Sequence, residues 1–166
     1  MESNLPITRT KIIIPRRRED LIPRLRLRRI LDEAIDNRLV IVAAPAGYGK
    51  TSLLVDFAHQ SDQPVCWLSL DALDQDPQRM IAHFIAAIHQ VFPEFGQSCK
   101  AALEGMPQDR INLDVLVSLI VNDAYDSISE HFVIILDDYH LVEDNADINY
   151  FINRFLLNID ENCHLV

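Results

Sequence analysis

The stretch VAAPAGYGKT, residues 42–51, combines an apolar run, a turn with two glycines and a closing Lys-Thr pair. It matches the pattern G-x-x-x-x-G-K-[ST] except at the first position, where Ala44 replaces the glycine. A strand, such a turn and a helix together place backbone N–H groups and the positive end of a helix dipole around an anion. We expect Ala44 to adopt an ordinary negative φ, with Pro45 stiffening the turn.

Strand and helix patterns alternate on both sides of this turn, as a parallel sheet covered by helices requires. Apolar runs predict strands at residues 39–43, 65–70 and 132–136, and residues 163–166 resemble the opening of a fourth strand. The first run is apolar on both sides and is therefore predicted to be a central strand. The predicted fold class is α/β: a P-loop NTPase three-layer sandwich with a parallel sheet, apparently truncated at the start of the fourth strand.

Helical spacing of apolar residues predicts amphipathic helices around this sheet. Two of them should begin at capping residues, one at Asp76 followed by Pro77 and the other at Asn145. Residues 92–108 contain glycine and proline breakers and are predicted to be irregular. The remaining predicted helices lie at residues 26–37, 50–60 and 113–124.

The composition is that of one globular domain or part of a larger one, because 166 residues that are 49% hydrophobic can bury a continuous core. No stretch reaches the roughly 18 uninterrupted apolar residues of a transmembrane helix, and the N-terminus lacks a signal-peptide pattern. We therefore expect a cytoplasmic protein without a membrane partner. Its cysteines, Cys66, Cys99 and Cys163, are scattered, which favours reduced thiols over a disulfide framework or a zinc site.

The net charge of −10 is unevenly distributed along the chain. Residues 1–29 contain nine basic and three acidic residues, whereas the remainder contains six basic and 22 acidic ones. We divide the chain into a basic N-terminal segment, residues 1–25, and a P-loop nucleotide-binding domain, residues 26–166. A basic arm can bind nucleic acid, but this one has no interleaved aromatic residues. A basic segment lying against an acidic domain is therefore the favoured interpretation.

Each residue type in a P-loop has a defined chemical role. Gly47 and Gly49 allow the backbone to curl around the β-phosphate, and Lys50 reaches the β- and γ-phosphates. The Thr51 hydroxyl ligates Mg²⁺, and the Ser52 hydroxyl lies near the α-phosphate. An ordinary strand-to-helix turn is the alternative interpretation. The predicted nucleotide-binding residues of the loop are Pro45, Ala46, Gly47, Tyr48, Gly49, Lys50, Thr51 and Ser52.

Two aspartates, Asp137 and Asp138, follow the predicted buried strand that ends in VIIL. A buried carboxylate costs several kcal/mol unless a cation or hydrogen bonds compensate it, and Mg²⁺ at the neighbouring loop would do so. Asp137 is therefore predicted to hold Mg²⁺ together with Thr51, through a water molecule. Asp138 and Lys50 are the candidate catalytic residues, because the Asp138 carboxylate could orient or deprotonate the attacking water. An acidic turn after a strand is the alternative.

Five segments are distinctive in combination: TKIIIPR (10–16), LIPRLRL (21–27), APAGYGKT (44–51), WLSLD (67–71) and ILDDYH (135–140). Together they resemble the N-terminal ATPase module of MalT-like transcriptional activators. These activators are large ATP-binding regulators of the LuxR group and belong to the STAND class of P-loop NTPases. The resemblance runs from about residue 10 to the end of the chain.

This resemblance implies that the Ala-Pro-Ala sequence before GYGKT is family usage. It implies a signalling switch with ADP or ATP and Mg²⁺ as cofactors, an ADP-bound resting form, and an ATP-bound form that self-associates when an inducer is sensed. It also implies that Ile22 and Arg24, in the basic segment, help to enclose the adenine.

Family members continue the strand that begins at His164 into a Ser-Arg pair, and then into domains that sense the inducer and bind DNA. We expect nucleotide binding to persist without these parts and hydrolysis to be slow or absent. One alternative is a small P-loop phosphotransferase, which would need an arginine-bearing lid, and only Arg154 follows Asp138. Another is a non-hydrolysing interaction module that keeps the fold without responding to nucleotide.

Overall fold

The computed structural model describes residues 6–20, 22–107 and 111–166. The first five residues of the basic segment, Leu21 of the LIPRLRL segment and Gln108 of the predicted irregular region lie outside these ranges. The described ranges contain a parallel sheet with the strand order β1-β2-β3. The strands are β1 (Val65–Ser69), β2 (Phe132–Asp137) and β3 (Cys163–Leu165).

Six α-helices surround this sheet within the described ranges. They are α1 (Leu25–Ala34), α2 (Lys50–Gln60), α3 (Pro77–Val91), α4 (Gln97–Glu104), α5 (Leu113–Ser127) and α6 (Ala146–Asn158). Short 3-10 turns lie at Arg9–Lys11, Ala72–Gln75 and Tyr139–Leu141.

The sheet separates two apolar clusters, so the helices and the sheet form three layers. Alternate residues of a strand point to opposite faces. Ile134 and Leu136 therefore pack on one side, in the cluster that includes residues of α3, α5 and α6. Val133 and Ile135 pack on the other side, with Leu31 of α1 and residues of α2. The predicted α/β class with a parallel, open sheet is confirmed.

The predicted helix starts are confirmed where a capping side chain marks them. Asp76 Oδ1 accepts a hydrogen bond of 3.0 Å from the Gln78 backbone N–H at the start of α3, and Pro77 occupies the first helical position. Asn145 caps α6 in the same way. The observed bounds of α2 match the predicted residues 50–60. Capping is a local interaction, which explains why it is readable from the sequence.

The predicted central strand at residues 39–43 is wrong. Only Leu39 forms a bridge, an isolated parallel pairing with Leu165, and Ile41 is 77% exposed. This segment therefore lies at the edge of the sheet beside β3. The Leu165 carbonyl oxygen accepts a 2.8 Å hydrogen bond from the Val40 backbone N–H, and the Leu165 N–H donates one of 3.0 Å to the Arg38 carbonyl oxygen. Among the described residues, the pairing of this segment with β3 is confined to this bridge. Val40 and Val42 still pack against the α1–α2 side of the sheet.

The prediction that residues 92–108 are irregular is also wrong, because they contain α4. The breakers flank this helix rather than interrupt it: Gly96 precedes it with a φ of 99°, and Gly105 follows it. The Gly96 backbone N–H donates to Asp123 Oδ2 at 2.8 Å, which ties the start of α4 to α5. Cys99 and Leu103 anchor α4 in the core.

All three cysteines are free and buried, as the spacing predicted. Burial raises the pKa of the Cys163 thiol to about 12. Burial, reinforced by the negative charge of Asp123, raises the pKa of Cys99 to about 12 as well. These thiols remain protonated near neutral pH and act as small apolar residues.

Candidate functional site

The loop before α2 has the backbone shape that the two-glycine pattern predicts. Gly47 has a φ of 82° and Gly49 a φ of 76°, and Gly49 is the residue that precedes the first turn of α2. L-residues with side chains rarely adopt such angles. Within the described ranges only Asp138 combines a side chain with positive φ, so Ala44 has the ordinary conformation that was predicted for it.

Lys50 is the first residue of α2, and its side chain folds back over the loop. Its Nζ donates hydrogen bonds to the backbone oxygens of Ala44 at 2.7 Å and of Pro45 at 3.3 Å. Because both acceptors are neutral carbonyls, they do not neutralise the positive charge of Lys50. This charge lies beside the N-terminus of α2, where the helix dipole also favours an anion. The other loop residues, Pro45, Ala46 and Tyr48, are exposed.

Thr51 and Asp137 come into contact although 86 positions separate them in the sequence. The Thr51 Oγ1 hydroxyl donates a 3.0 Å hydrogen bond to Asp137 Oδ1, which joins the first turn of α2 to the end of β2. Asp137 is only 6% exposed. Burial raises its pKa, and the negative charge of Asp138 acts in the same direction, while the Thr51 hydrogen bond and Lys50 lower it.

Asp138 differs from its neighbour in both conformation and environment. It adopts a left-handed conformation with a φ of 60°, which the sequence did not predict. Such a conformation costs a non-glycine residue about 1–2 kcal/mol. The carboxylate is partly exposed and lies 3.8 Å from His140 Nδ1. The structure thus places the predicted catalytic aspartate next to the predicted metal ligand, and it adds His140, which the sequence analysis did not single out.

A cleft of about 320 Å³ lies between α2 and the residues before α1. Arg24 joins its two walls, because its Nη1 donates a 2.6 Å hydrogen bond to the Tyr48 carbonyl oxygen of the loop. Ile22, which is 82% exposed, lines the same cleft. The residues that line the cleft are Arg18, Asp20, Ile22, Arg24, Gly49, Ser52, Leu53 and Asp56.

The structure therefore brings together Ile22, Arg24 and Ser52, which the sequence analysis assigned to one site. It also adds Asp56, which the sequence analysis missed. The signal was present as a single aspartate among apolar residues in LLVDFA, on a helix that was predicted to be amphipathic.

Arg154 lies outside the loop and the cleft. Its Nε forms an ion pair of 3.3 Å with Asp114 Oδ1, to which the Tyr150 hydroxyl also donates at 2.9 Å. The arginine that a phosphotransferase lid would use is therefore engaged on the α5–α6 surface.

Helices in the described part of the chain are too short or too polar to cross a membrane.

Comparison with known proteins yields clear relatives, although no family model matches the chain. The chain is 35% identical over 159 residues to the HTH-type transcriptional regulator MalT of Klebsiella pneumoniae subsp. pneumoniae, and equally to that of Klebsiella pneumoniae strain 342. These matches cover 95% of the chain but only 17% of the length of each relative. They confirm the resemblance to the N-terminal module of MalT-like regulators.

Proposed function

We propose that this MalT-like chain is an ATP- and ADP-binding switch module of a transcriptional activator, with slow or absent ATP hydrolysis. The observation that supports this most strongly is the 3.0 Å hydrogen bond between Thr51 and Asp137. It places a hydroxyl at a helix start beside a buried carboxylate at a strand end. A P-loop NTPase uses this combination to hold Mg²⁺ next to the phosphates.

The phosphates would lie at the N-terminus of α2. The left-handed conformations of Gly47 and Gly49 curve the backbone of the loop, and an added Cβ at Gly47 would meet no atom within 4 Å. This open concave loop suits backbone N–H contacts to phosphate oxygens. Lys50 would exchange its two carbonyl contacts for the β- and γ-phosphates, since a phosphate oxygen is a stronger acceptor for an ammonium group.

Mg²⁺ would be held by Thr51 and Asp137, whose oxygen atoms are of the type that this ion prefers. The described residues contain no cluster of three or more His, Cys, Asp or Glu side chains suited to a metal. The remaining Mg²⁺ ligands would therefore be phosphate and water oxygens, as is usual for this ion. When bound, the ion supplies positive charge that offsets the burial of Asp137.

The nucleoside would occupy the cleft beside the loop. Ile22 offers an exposed apolar surface and Arg24 a planar cation, and both can contact the face of a base. Asp138, whose exposed carboxylate lies 3.8 Å from His140 Nδ1, would orient the attacking water. We expect this hydrolysis to be slow or absent.

Self-association, inducer sensing and DNA binding are proposed for a longer protein, because the chain spans 17% of the length of its relatives. For this chain the proposed activity is nucleotide binding coupled to a conformational change. A cytoplasmic location belongs to the same proposal.

Isothermal titration with ADP and with ATP, each in the presence of Mg²⁺, tests the proposal. We expect binding by the wild type, and at least about tenfold weaker binding by Lys50→Ala because a charge-assisted hydrogen bond is lost. Lys100→Ala in α4 is the matched control and should bind as the wild type does. The absence of heat for the correctly folded wild type would refute the proposal. Rapid phosphoryl transfer to a small acceptor would instead support the phosphotransferase alternative. A folded protein that shows no response to either nucleotide would support the interaction-module alternative.

A further inference from the structure

Asp56 is a buried carboxylate in the wall of the cleft. It lies in the middle of α2, is only 5% exposed, and has Val55 and Phe57 of the apolar α1–α2 cluster as its chain neighbours. A buried carboxylate without partners is strongly unfavourable. Its place on the inner part of the helix therefore depends on the groups that donate to it.

The partners of Asp56 come from three different segments. Arg17 Nη2 lies 2.7 Å from Asp56 Oδ1 and belongs to the residues before α1. Gln60 Nε2 of α2 donates to the same oxygen at 2.8 Å. Arg28 of α1 lies farther away, with its Nη1 at 4.0 Å from Oδ2, and its guanidinium also covers the Phe57 ring at 5.9 Å. Arg17 is thus the closest cation to this buried charge.

Arg17 belongs to a segment that we call the N-terminal strap, the described residues 8–20 and 22–24. Pro15 of the strap is attached to α2 as well, because its carbonyl oxygen accepts a 2.8 Å hydrogen bond from His59 Nε2. Arg24, at the other end, donates to the Tyr48 carbonyl oxygen. The strap residues that line the cleft, Arg18, Asp20, Ile22 and Arg24, follow the attachment at Pro15 and Arg17.

We propose that Asp56 is a positioning residue for nucleotide binding, which acts by holding Arg17 and thereby keeping the strap over the nucleoside cleft. This inference rests on the proposed function and concerns the same site. Asp56 does not need to touch the nucleotide. It determines how often Ile22 and Arg24 face the loop, and so how long a purine nucleoside diphosphate or triphosphate stays bound.

Strap closure has a kinetic consequence. A nucleotide whose phosphates are held by the P-loop can leave only when the strap uncovers the cleft. Loss of the Asp56–Arg17 contact should therefore raise the dissociation rate, which is where most affinity changes in related complexes arise. Because the two residues act through one contact, their substitutions should be non-additive.

The experiment uses the whole chain with Mg²⁺ and ADP that carries a fluorescent N-methylanthraniloyl group on its ribose. Dissociation is followed by stopped flow for Asp56→Asn, Arg17→Gln and the double variant. Each variant should dissociate roughly fivefold to tenfold faster than the wild type, and the double variant no faster than the faster single one. Arg17→Lys, which keeps the charge, should recover most of the wild-type rate. Asp32→Asn is the matched control, because Asp32 is exposed, pairs with Arg28 and does not line the cleft.

The outcomes separate this inference from the proposed function. If the wild type binds ADP and both Asp56→Asn and Arg17→Gln dissociate at the wild-type rate, the inference is wrong and the proposed function stands. If the wild type binds no ADP, the inference and the proposed function are both wrong. If the two single effects multiply in the double variant, the residues act independently and the inference is again wrong. If circular dichroism shows that Asp56→Asn does not fold, the test uses Arg17→Gln and Arg17→Lys instead, because Arg17 is partly exposed.

Discussion

The Thr51 hydroxyl donates to the Asp137 carboxylate across 3.0 Å and so links the start of α2 to the end of β2. The contact joins the two parts of the chain that carry the predicted phosphate and metal ligands. Because Asp137 is buried, it also couples the stability of the end of β2 to any charge that lies beside the loop.

Magnesium dependence should be lost when this carboxylate is removed. In Asp137→Ala, ADP affinity measured by isothermal titration should be the same with Mg²⁺ and with a chelator, whereas the wild type should bind about tenfold or more tightly with Mg²⁺. Asp147→Ala, in the exposed first turn of α6, is the control and should keep the wild-type response to Mg²⁺. Continued Mg²⁺ dependence in Asp137→Ala would show that another group holds the metal.

Neutralising Asp137 should stabilise the nucleotide-free protein near neutral pH. Burial raises the pKa of this carboxyl above its ordinary value of 3.8, so the folded state binds the proton more tightly than the unfolded state does. The free energy of unfolding therefore falls as pH rises from about 3.8 through the raised pKa, and the penalty is complete above it. Asp137→Asn should melt at a higher temperature than the wild type at neutral pH, and the difference should shrink as pH falls toward 3.8. A lower melting temperature for Asp137→Asn at neutral pH would contradict this account.

Alanine at the two loop glycines should be destabilising for different reasons. Gly47→Ala imposes a left-handed φ on a side-chain residue in open space, which should cost about 1–2 kcal/mol in urea unfolding. Gly49→Ala imposes the same strain and also places its Cβ 3.1 Å from Arg24 Nη2. Adding Arg24→Ala should therefore relieve part of the cost of Gly49→Ala and none of that of Gly47→Ala. Equal relief at both positions would show that the Arg24 contact is irrelevant.

The protein should lose stability in mild acid through His83. This imidazole is fully buried, and its Nε2 accepts a 3.1 Å hydrogen bond from the Thr8 backbone N–H, so it is neutral in the folded state. Burial lowers its pKa below 6.5, and Lys11 and Arg79 act in the same direction, against Asp74 and the Arg79 backbone carbonyl. The lowered pKa means that the unfolded state binds the proton more tightly, so stability falls as pH decreases below 6.5.

Urea unfolding at several pH values between about 7 and 5 checks this prediction, because histidine titrates in this range. His83→Gln should show a smaller loss of stability on acidification than the wild type. His140→Gln, at an exposed imidazole, should retain the wild-type slope. If the free energy of unfolding depends on pH in the same way for the wild type and His83→Gln, another group causes the acid sensitivity.

Much of the fold was predictable because it depends on local interactions. The bounds of α2, the Asp76 and Asn145 caps and the position of β3 follow from apolar periodicity and from side chains that bond to their own helix starts. The curled backbone of the loop at Gly47 and Gly49 was predictable as well, because glycine readily adopts a positive φ. These features need no knowledge of what packs against them.

The wrong predictions concern segments whose structure depends on contacts with distant parts of the chain. Residues 39–43 have the composition of a buried strand, but a strand requires a neighbour, and only Leu39 finds one in Leu165. Residues 97–104 include the helix formers KAALE, but the flanking glycines and proline led to the prediction of an irregular segment. Cys99 and Leu103 are buried in the core, and this packing stabilises α4.

The sequence by itself determined the loop and its chemistry: two glycines, a lysine and a threonine at the start of an amphipathic helix. The sequence also predicted that Asp137 lies beside Thr51, whereas the 3.0 Å hydrogen bond between them and the burial of Asp137 come from the tertiary structure alone. The tertiary structure alone also brought Arg17 of the N-terminal strap to Asp56. Spacing along a chain specifies local backbone geometry. Contacts between distant residues depend on how the whole core packs and on which buried charges need partners.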